Sequence, residues 1–355
     1  MSNYSLTWKT CNDVLAQRAR TWGWALAIGA GTSLKAFPDW RLLVKELISA
    51  DSAVTDPGDL LDTLSETFSY DALIQAAKDV LDEDDTTFTK RLAELLYKRV
   101  KDKSGADWSN IAKALTAASP GQLKRDKWKS FLEFMTANYS TASALQIAAA
   151  IMNARQASLA PAAILSFNGE QLLYSLVHAL AATTCAPTAD LKKQRVFDRV
   201  TRGISHREAP RIPYIFCHGL IPMDEGFSLF PQMAAPEKLV FSEGEYLQLA
   251  NSAFSWQSSL FLGTAVLRSI VFIGLSFSDP NLRRWLAWVH ANRAAELEIR
   301  GKDPECYEHY WLKENIGDED EKRWIESSVR HLGVRLVWID SWAKVGAYLE
   351  RMLSL

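Results

Sequence analysis

The chain has 355 residues, 48% of them hydrophobic and 11% aromatic, with 40 Lys+Arg against 42 Asp+Glu. This length and apolar content allow about two domains and a well-covered core, and they exclude a disordered tail, a small disulfide scaffold and a collagen-like repeat. Near-neutral charge without a dense Lys/Arg run argues against a dedicated nucleic-acid binder, and the scattered Cys11, Cys185, Cys217 and Cys306, with no C-x-x-C pair, argue against a zinc ribbon and for a reducing cytoplasm.

The first twenty residues carry apolar side chains at helical spacing (Leu6, Cys11, Val14, Leu15), and residues 25–28 then form an apolar run closed by Gly29-Ala30-Gly31. The stretch 22–31 imitates the apolar part of a signal peptide. Asp13, a long preceding segment and the lack of a small-residue cleavage site favour a buried strand instead. From Trp40 to about Asn153 the pattern is helical throughout. Strand-like runs follow at 162–167, 213–217, 238–241, 270–274, 307–312 and 334–339. Helical segments at 170–182, 243–267, 280–297, 319–332 and 342–353 separate most of them. Arg268 and a change of periodicity make 258–277 a poor membrane span. The acidic runs 82–85 and 318–321 read as solvated helix ends, and most of the 13 Trp as core residues.

Strands alternating with helices imply a parallel sheet covered on both faces. The expected fold class is α/β, a doubly wound, Rossmann-like parallel sheet built from residues 1–50 and 158–355 and interrupted by a helical insertion at 51–157. In such sheets the ligand lies beyond the carboxyl ends of the strands. Those positions hold Gly29, Ala30, Gly31, Thr32 and Ser33 after the first strand, then Asn168, then His218-Gly219, then Gly274 with Ser276, Ser278 and Asp279. Two glycines let backbone approach a pyrophosphate, and a hydroxyl can donate to it. Each position also has an ordinary explanation: Asn168 as a helix cap, His218 as a satisfied strand-end histidine, Asp279-Pro280 as a helix start. Leu34 stands where a dehydrogenase fingerprint needs its third glycine, and no second strand ending in an acid follows, so a hydride-transfer domain ranks last.

Five segments in this order and spacing resemble the sirtuin superfamily, specifically its bacterial sirtuin-like branch. They are Gly29-Ala-Gly-Thr-Ser33, Pro38-Asp-Trp-Arg41, Ser166-Phe-Asn168, Cys217-His-Gly219 and Val271-Phe-Ile-Gly-Leu-Ser-Phe-Ser-Asp-Pro280. The resemblance covers roughly residues 24–50 and 161–290. It implies NAD binding and cleavage of the nicotinamide ribosyl bond. By it, Gly29, Ala30, Gly31 and Ser33 line the NAD phosphates, Asp39, Trp40 and Arg41 form the loop over the nicotinamide side, and Gly274 and Ser276 lie under the adenosine half. Asn168 holds the reacting ribose or the attacking water, and His218 is the general base.

Three departures shape the expectation. The two C-x-x-C pairs of the family's deacetylases are missing, Phe167 replaces a polar contact before the Asn, and Gly169-Glu170 follow it. The resemblance therefore implies an NAD glycohydrolase that releases nicotinamide and ADP-ribose, with NAD as substrate and no metal. It is similar to cytoplasmic antiphage effectors that deplete NAD. Such an activity requires regulation, by homo-oligomerisation or by a partner such as a hexameric ATPase or a nucleotide-processing enzyme, with the helical insertion as the contact surface. No membrane and no direct nucleic-acid contact are expected. The rival readings are an NAD-dependent protein deacylase or ADP-ribosyltransferase, and a non-catalytic NAD or ADP-ribose sensor.

Overall fold

The structure, a computed structural model, describes residues 8–201, 211–221, 223, 240, 244–245, 255–302 and 308–355, with side chains from Leu15 onward. Seven strands form one sheet: β1 Trp24–Ile28, β2 Ala163–Ser166, β3 Phe197–Val200, β4 Ile212–Phe216, β5 Ser269–Ile273, β6 His309–Glu314 and β7 Val334–Ile339. Their order is β3-β4-β2-β1-β5-β6-β7, and every pairing is parallel. From β1 the chain adds β2 beside it, runs to the edge strand β3, returns to β4 between β3 and β2, and then crosses to β5 on the other side of β1. The ends of β1 and β5 thus form the topological switch point where open α/β sheets hold ligands.

Side chains alternate across the sheet, as a period of two requires. Trp24, Leu26 and Ile28 of β1 enter one core with Ile164, Tyr214, Phe216, Val271 and Ile273. Ala25 and Ala27 enter the other, with Leu165, Ile215, Ile270 and Phe272. Every residue of β1 is buried, as expected for a central strand covered on both faces.

The two covers differ greatly in mass. The second face is closed by α10 Trp256–Leu267, α11 Pro280–Ile299 and α12 Glu319–Arg330, through Phe261, Leu286 and Val329. The first carries α9 Leu172–Thr184, α13 Val345–Leu353 and the helices of the 51–157 stretch. These are α3 Pro57–Ser65, α4 Tyr70–Val80, α5 Asp85–Ser104, α6 Trp108–Thr116, α7 Arg125–Tyr139 and α8 Ser143–Gln156, preceded by α2 Trp40–Ile48. Helices α7 and α8 pack on α9, and α8 also packs on α13, which meets α1 Trp8–Trp22. Helix α9 lies between sheet and helices and is apolar almost all round, which is how a fully enclosed helix reads. One hydrophobic core runs from the sheet into the 51–157 helices without a break.

The sequence-based elements match most of this arrangement, with one difference, and two expected elements fall partly outside the described residues. Strand β3 is absent from the expected set, because Asp198 and Arg199 interrupt its apolar pattern. It forms as a sheet edge, where Asp198 pairs with Arg195 and Arg211. The expected strand at 238–241 lies outside the described residues except for Val240, whose N–H donates to the His218 carbonyl. Of the expected helix at 243–267, 244–245 and 256–267 are helical and 246–254 lie outside the described residues. Both acidic runs do sit at helix starts: Asp84 accepts the Thr87 N–H ahead of α5, and Asp318 those of Asp320 and Glu321 ahead of α12. No helix among the described residues is long and apolar enough to cross a membrane.

Candidate functional site

The β1 and β5 loops touch through glycine. The Gly29 N–H donates to the Ile273 carbonyl at 3.0 Å and the Gly31 N–H to that of Gly274 at 2.9 Å. A Cβ at Gly29 would lie 2.6 Å from the Gly274 carbonyl oxygen, and one at Gly274, where φ is +70°, would lie 2.5 Å from the Thr32 nitrogen. Only glycine permits this approach of two backbones. The glycine signal in the sequence thus has a structural occupation, joining the loops at the switch point, beside the phosphate-lining role the resemblance implies.

Above this junction the ends of β1, β2 and β4 are stitched in turn. Phe167 N–H donates to the Ile28 carbonyl, Cys217 N–H to that of Ser166, and Ile221 N–H to that of Gly169. This brings Asn168 and Glu170 over the β1 loop, both 4% exposed. The Asn168 Nδ2 donates to Glu170 Oε1 at 2.9 Å and to Thr32 Oγ1 at 3.3 Å, and Ser33 Oγ donates to the same carboxyl oxygen at 2.8 Å. The other oxygen, Oε2, accepts the Leu172 N–H at the start of α9. Burial pushes the Glu170 proton affinity up, and the three donors only partly offset it. Asn168 does not cap α9: Glu170 takes that task, which removes the ordinary explanation of the amide. Its Oδ1 is buried with no hydrogen-bond partner. An orphaned acceptor of this kind costs free energy unless something donates to it.

Oδ1 belongs to a residue on the wall of a cleft. Ala30, Ser33, Phe37, Pro38, Asp39 and Trp40 line one side, Phe167, Asn168, Gly169 and Glu170 another, and Leu43 and Leu96 complete it. Its volume, open mouth included, is about 420 Å³. Asp39 caps α2 by accepting the Leu42 N–H at 2.7 Å, which sets Trp40 at the cleft. Arg41 instead pairs with Asp62 on α3, which together with Tyr70 holds its guanidinium charge firmly. Leu96 comes from α5. Its neighbour Tyr97 meets the Phe37 ring edge-on at 5.5 Å and donates to the Ile221 carbonyl at 3.4 Å, so the 51–157 segment is built into the cleft wall.

His218 follows β4 and is 5% exposed. It does not line the cleft. Its ring meets Phe167 edge-on at 5.1 Å, and Phe167 borders both the imidazole and the cleft. The His218 Nε2 lies 3.6 Å from Oδ2 of Asp279. Burial would raise the Asp279 carboxyl, but the imidazole and the Asn281 and Leu282 N–H groups outweigh it and hold the group below its ordinary value. The adjacent Cys217 thiol is pushed up by burial and by Asp279, which makes it a poor nucleophile. Ser276 is exposed, its hydroxyl 2.6 Å from that of Ser278, and between them Phe277 adopts a φ of +58° while plugging its ring against Phe272 and Trp311. Positive φ in a bulky residue is strained, and the buried ring is what holds the turn.

The structure therefore gathers Ala30, Ser33, Asp39, Trp40 and Asn168 on one cleft, with Gly29, Gly31 and Gly274 beneath. His218 stands behind Phe167, and Arg41 and Ser276 make other contacts. Sequence reasoning placed Thr32 and Asp279 at this edge without pairing them with Asn168 and His218, and it left Glu170 without a role. The Asn-x-Glu spacing was a usable signal for Glu170, since it returns a carboxylate to the amide two residues before it. Among the described residues no His, Cys, Asp and Glu group is placed to hold a metal ion.

Residues 184–332 match the model of a family described as SIR2-like domain. The matched segment contains His218, Gly274, Ser276 and Asp279, and leaves out the Gly29 loop and Asn168. It supports a sirtuin-like superfamily relationship and NAD-related activity in general. No curated protein matches the chain.

Proposed function

We propose that this protein is an NAD glycohydrolase that transfers the ADP-ribosyl group of NAD to water and releases nicotinamide. The observation that carries the reading is the buried, partnerless Oδ1 of Asn168, a residue that lines a cleft at the switch point of a parallel sheet whose later part matches a SIR2-like domain. A ribose hydroxyl or a water molecule would donate to that oxygen. Phe37, Pro38, Trp40, Leu43 and Leu96 would form a dry, partly aromatic wall for the nicotinamide ring. These residue types support NAD as the substrate.

Cleavage of the N-glycosidic bond builds positive charge on the ribose, and nicotinamide leaves as a neutral ring. The protein has to orient the ribose, exclude bulk water and remove one proton from the attacking water. Asn168, held by Thr32 and Glu170, orients. His218 accepts the proton on a ring nitrogen, as an imidazole base does. In this reading the Phe167 ring turns aside as substrate enters, which admits the imidazole to the cleft. We further propose that the activity depletes cellular NAD in antiphage defence under control of self-assembly or a partner protein, such as a hexameric ATPase or a nucleotide-processing enzyme. Contact at the 51–157 helices reaches the cleft through Leu96 and Tyr97.

The test is chromatographic: NAD incubated with the purified protein and with His218→Ala, at several protein concentrations. Nicotinamide and ADP-ribose are expected with the wild type alone. Binding of NAD without turnover at every concentration would favour a sensor instead, and a deacylated or ADP-ribosylated peptide would favour transfer to protein.

A further inference from the structure

We propose that Asp279 is a positioning residue for His218: its carboxylate fixes the imidazole's orientation and tautomer and stabilises the imidazolium formed when the ring takes a proton. This rests on the NAD-cleavage reading above, in which His218 is the base. The two residues lie far apart in sequence, after β4 and after β5, strands that β2 and β1 separate in the sheet. Their contact therefore spans the carboxyl ends of the two central strands, and the fold alone creates it.

Asp279 is set before His218 meets it. Its Oδ1 accepts the N–H groups of Asn281 at 2.8 Å and Leu282 at 3.3 Å, as the cap of α11, with Pro280 at the first helical position. That double bond to the helix end fixes the carboxylate plane and directs Oδ2 at the His218 Nε2, 3.6 Å away. The ring is held from the Phe167 side by the edge-on contact at 5.1 Å. The side chains of His218 and Asp279 are 6% and 16% exposed, so water screens the pair little. A base oriented by a third group is the arrangement that activated nucleophiles share, and such hydrogen bonds are often long before substrate is bound. A carboxylate facing Nε2 favours the tautomer with the proton on that nitrogen, leaving Nδ1 as the ring's acceptor. Among the described residues Asp279 is the carboxylate facing the ring, and the thiol of Cys217, the preceding residue, is kept protonated by burial.

Asp279→Asn separates charge from helix capping, because asparagine caps as well as aspartate does. In the full-length protein this variant is expected to keep KM for NAD within about twofold. Its kcat should fall between about tenfold and a hundredfold, at or below the bottom of the ~10²–10⁴-fold range for losing the acid/base group itself, and the acidic limb of its rate profile should move to lower pH. Asp279→Glu should recover part of the rate. The second readout needs no turnover: the ¹⁵N ring signals of His218, assigned with His218→Gln, should report an Nε2–H tautomer in the wild type and a redistributed one in Asp279→Asn. An unchanged ring spectrum, or a wild-type kcat and pH profile in Asp279→Asn, would overturn the proposal. If the purified wild type leaves NAD intact, the hydrolase reading fails, and the ring spectrum still decides whether Asp279 positions His218.

Discussion

Glu170 and Asp279 both follow a strand and both accept N–H groups at the start of a helix, Glu170 buried and Asp279 with 16% of its side chain exposed, yet their protons behave in opposite ways. Glu170 faces neutral donors, the Ser33 hydroxyl and the Asn168 amide, and burial prevails, so its proton is retained to higher pH. Asp279 faces an imidazole that can carry charge, and it remains an anion below the usual carboxylate range. Two carboxyl groups at one sheet edge are thereby divided between one that holds its proton at the cleft and one that stays anionic beside the His218 imidazole. Divergent environments for paired titratable groups are a common mark of acid/base sites. A third case sharpens the contrast. His178 on α9 is as buried as His218, but it accepts the Val196 and Phe197 N–H groups, and burial together with Arg195, Arg199 and Arg211 holds it neutral well below the usual range. It ties α9 to β3. Burial alone does not give a histidine its role; the partner does.

The largest effect expected is on turnover. His218→Ala and Asn168→Ala should each lower NAD cleavage at least about a hundredfold, the scale of a lost acid/base group, while circular dichroism stays native. Full activity in either variant would break the division of roles between cleft and base. Next comes the joint beneath both halves. Gly274→Ala forces a Cβ against the Thr32 nitrogen at a positive φ and should cost on the order of 2 kcal/mol or more in denaturant unfolding. Gly105→Ala has a positive φ but open space around it and should cost about 1 kcal/mol. Equal losses would mean that the two loops do not bear on each other.

A smaller effect separates the carboxyl groups by pH. Because the folded value of Glu170 is raised, its contribution to stability is present below the unfolded-state value and is lost as pH rises through the folded one. Asp279 is lowered, so its contribution is present above the unfolded-state value and is lost as pH falls through the folded one. Melting curves across pH should therefore show Glu170→Gln gaining on the wild type as pH rises. Asp279→Asn should fall further behind over the acidic range as pH rises. Parallel curves would show that the two groups share one environment. The smallest expected effect is none at all: EDTA should leave the rate unchanged, and a strict metal requirement would count against a mechanism run by Asn168 and His218.

Much of the scaffold was legible because it rests on local pattern. The apolar run at 25–28, the glycines behind it and the run ending at Ile273 announce strands and turns by residue type alone, and the central strands appear where expected. Strand β3 was not legible, since an edge strand needs apolar residues at fewer positions and its Asp198 and Arg199 look like loop residues until Arg211 and Gln171 are found beside them. At the site, Asn168 and His218 stood out from their place after strands. Thr32, Ser33 and Asp279 were also in view at that edge, but which of them would meet Asn168, Glu170 or His218 was not, because that depends on what lies across the sheet edge.

By itself, then, the sequence determined that this chain forms a parallel sheet with polar and small residues after its strands, since hydrophobic periodicity and glycine placement act over a few residues. Only the tertiary structure decided that Glu170 would hold Ser33 and Asn168, that Leu96 of a distant helix would close the cleft, and that Asp279 would reach over two strands to His218. Those contacts join residues far apart along the chain, and strand order and burial, which no local pattern encodes, set both their distances and the proton affinities of the groups involved.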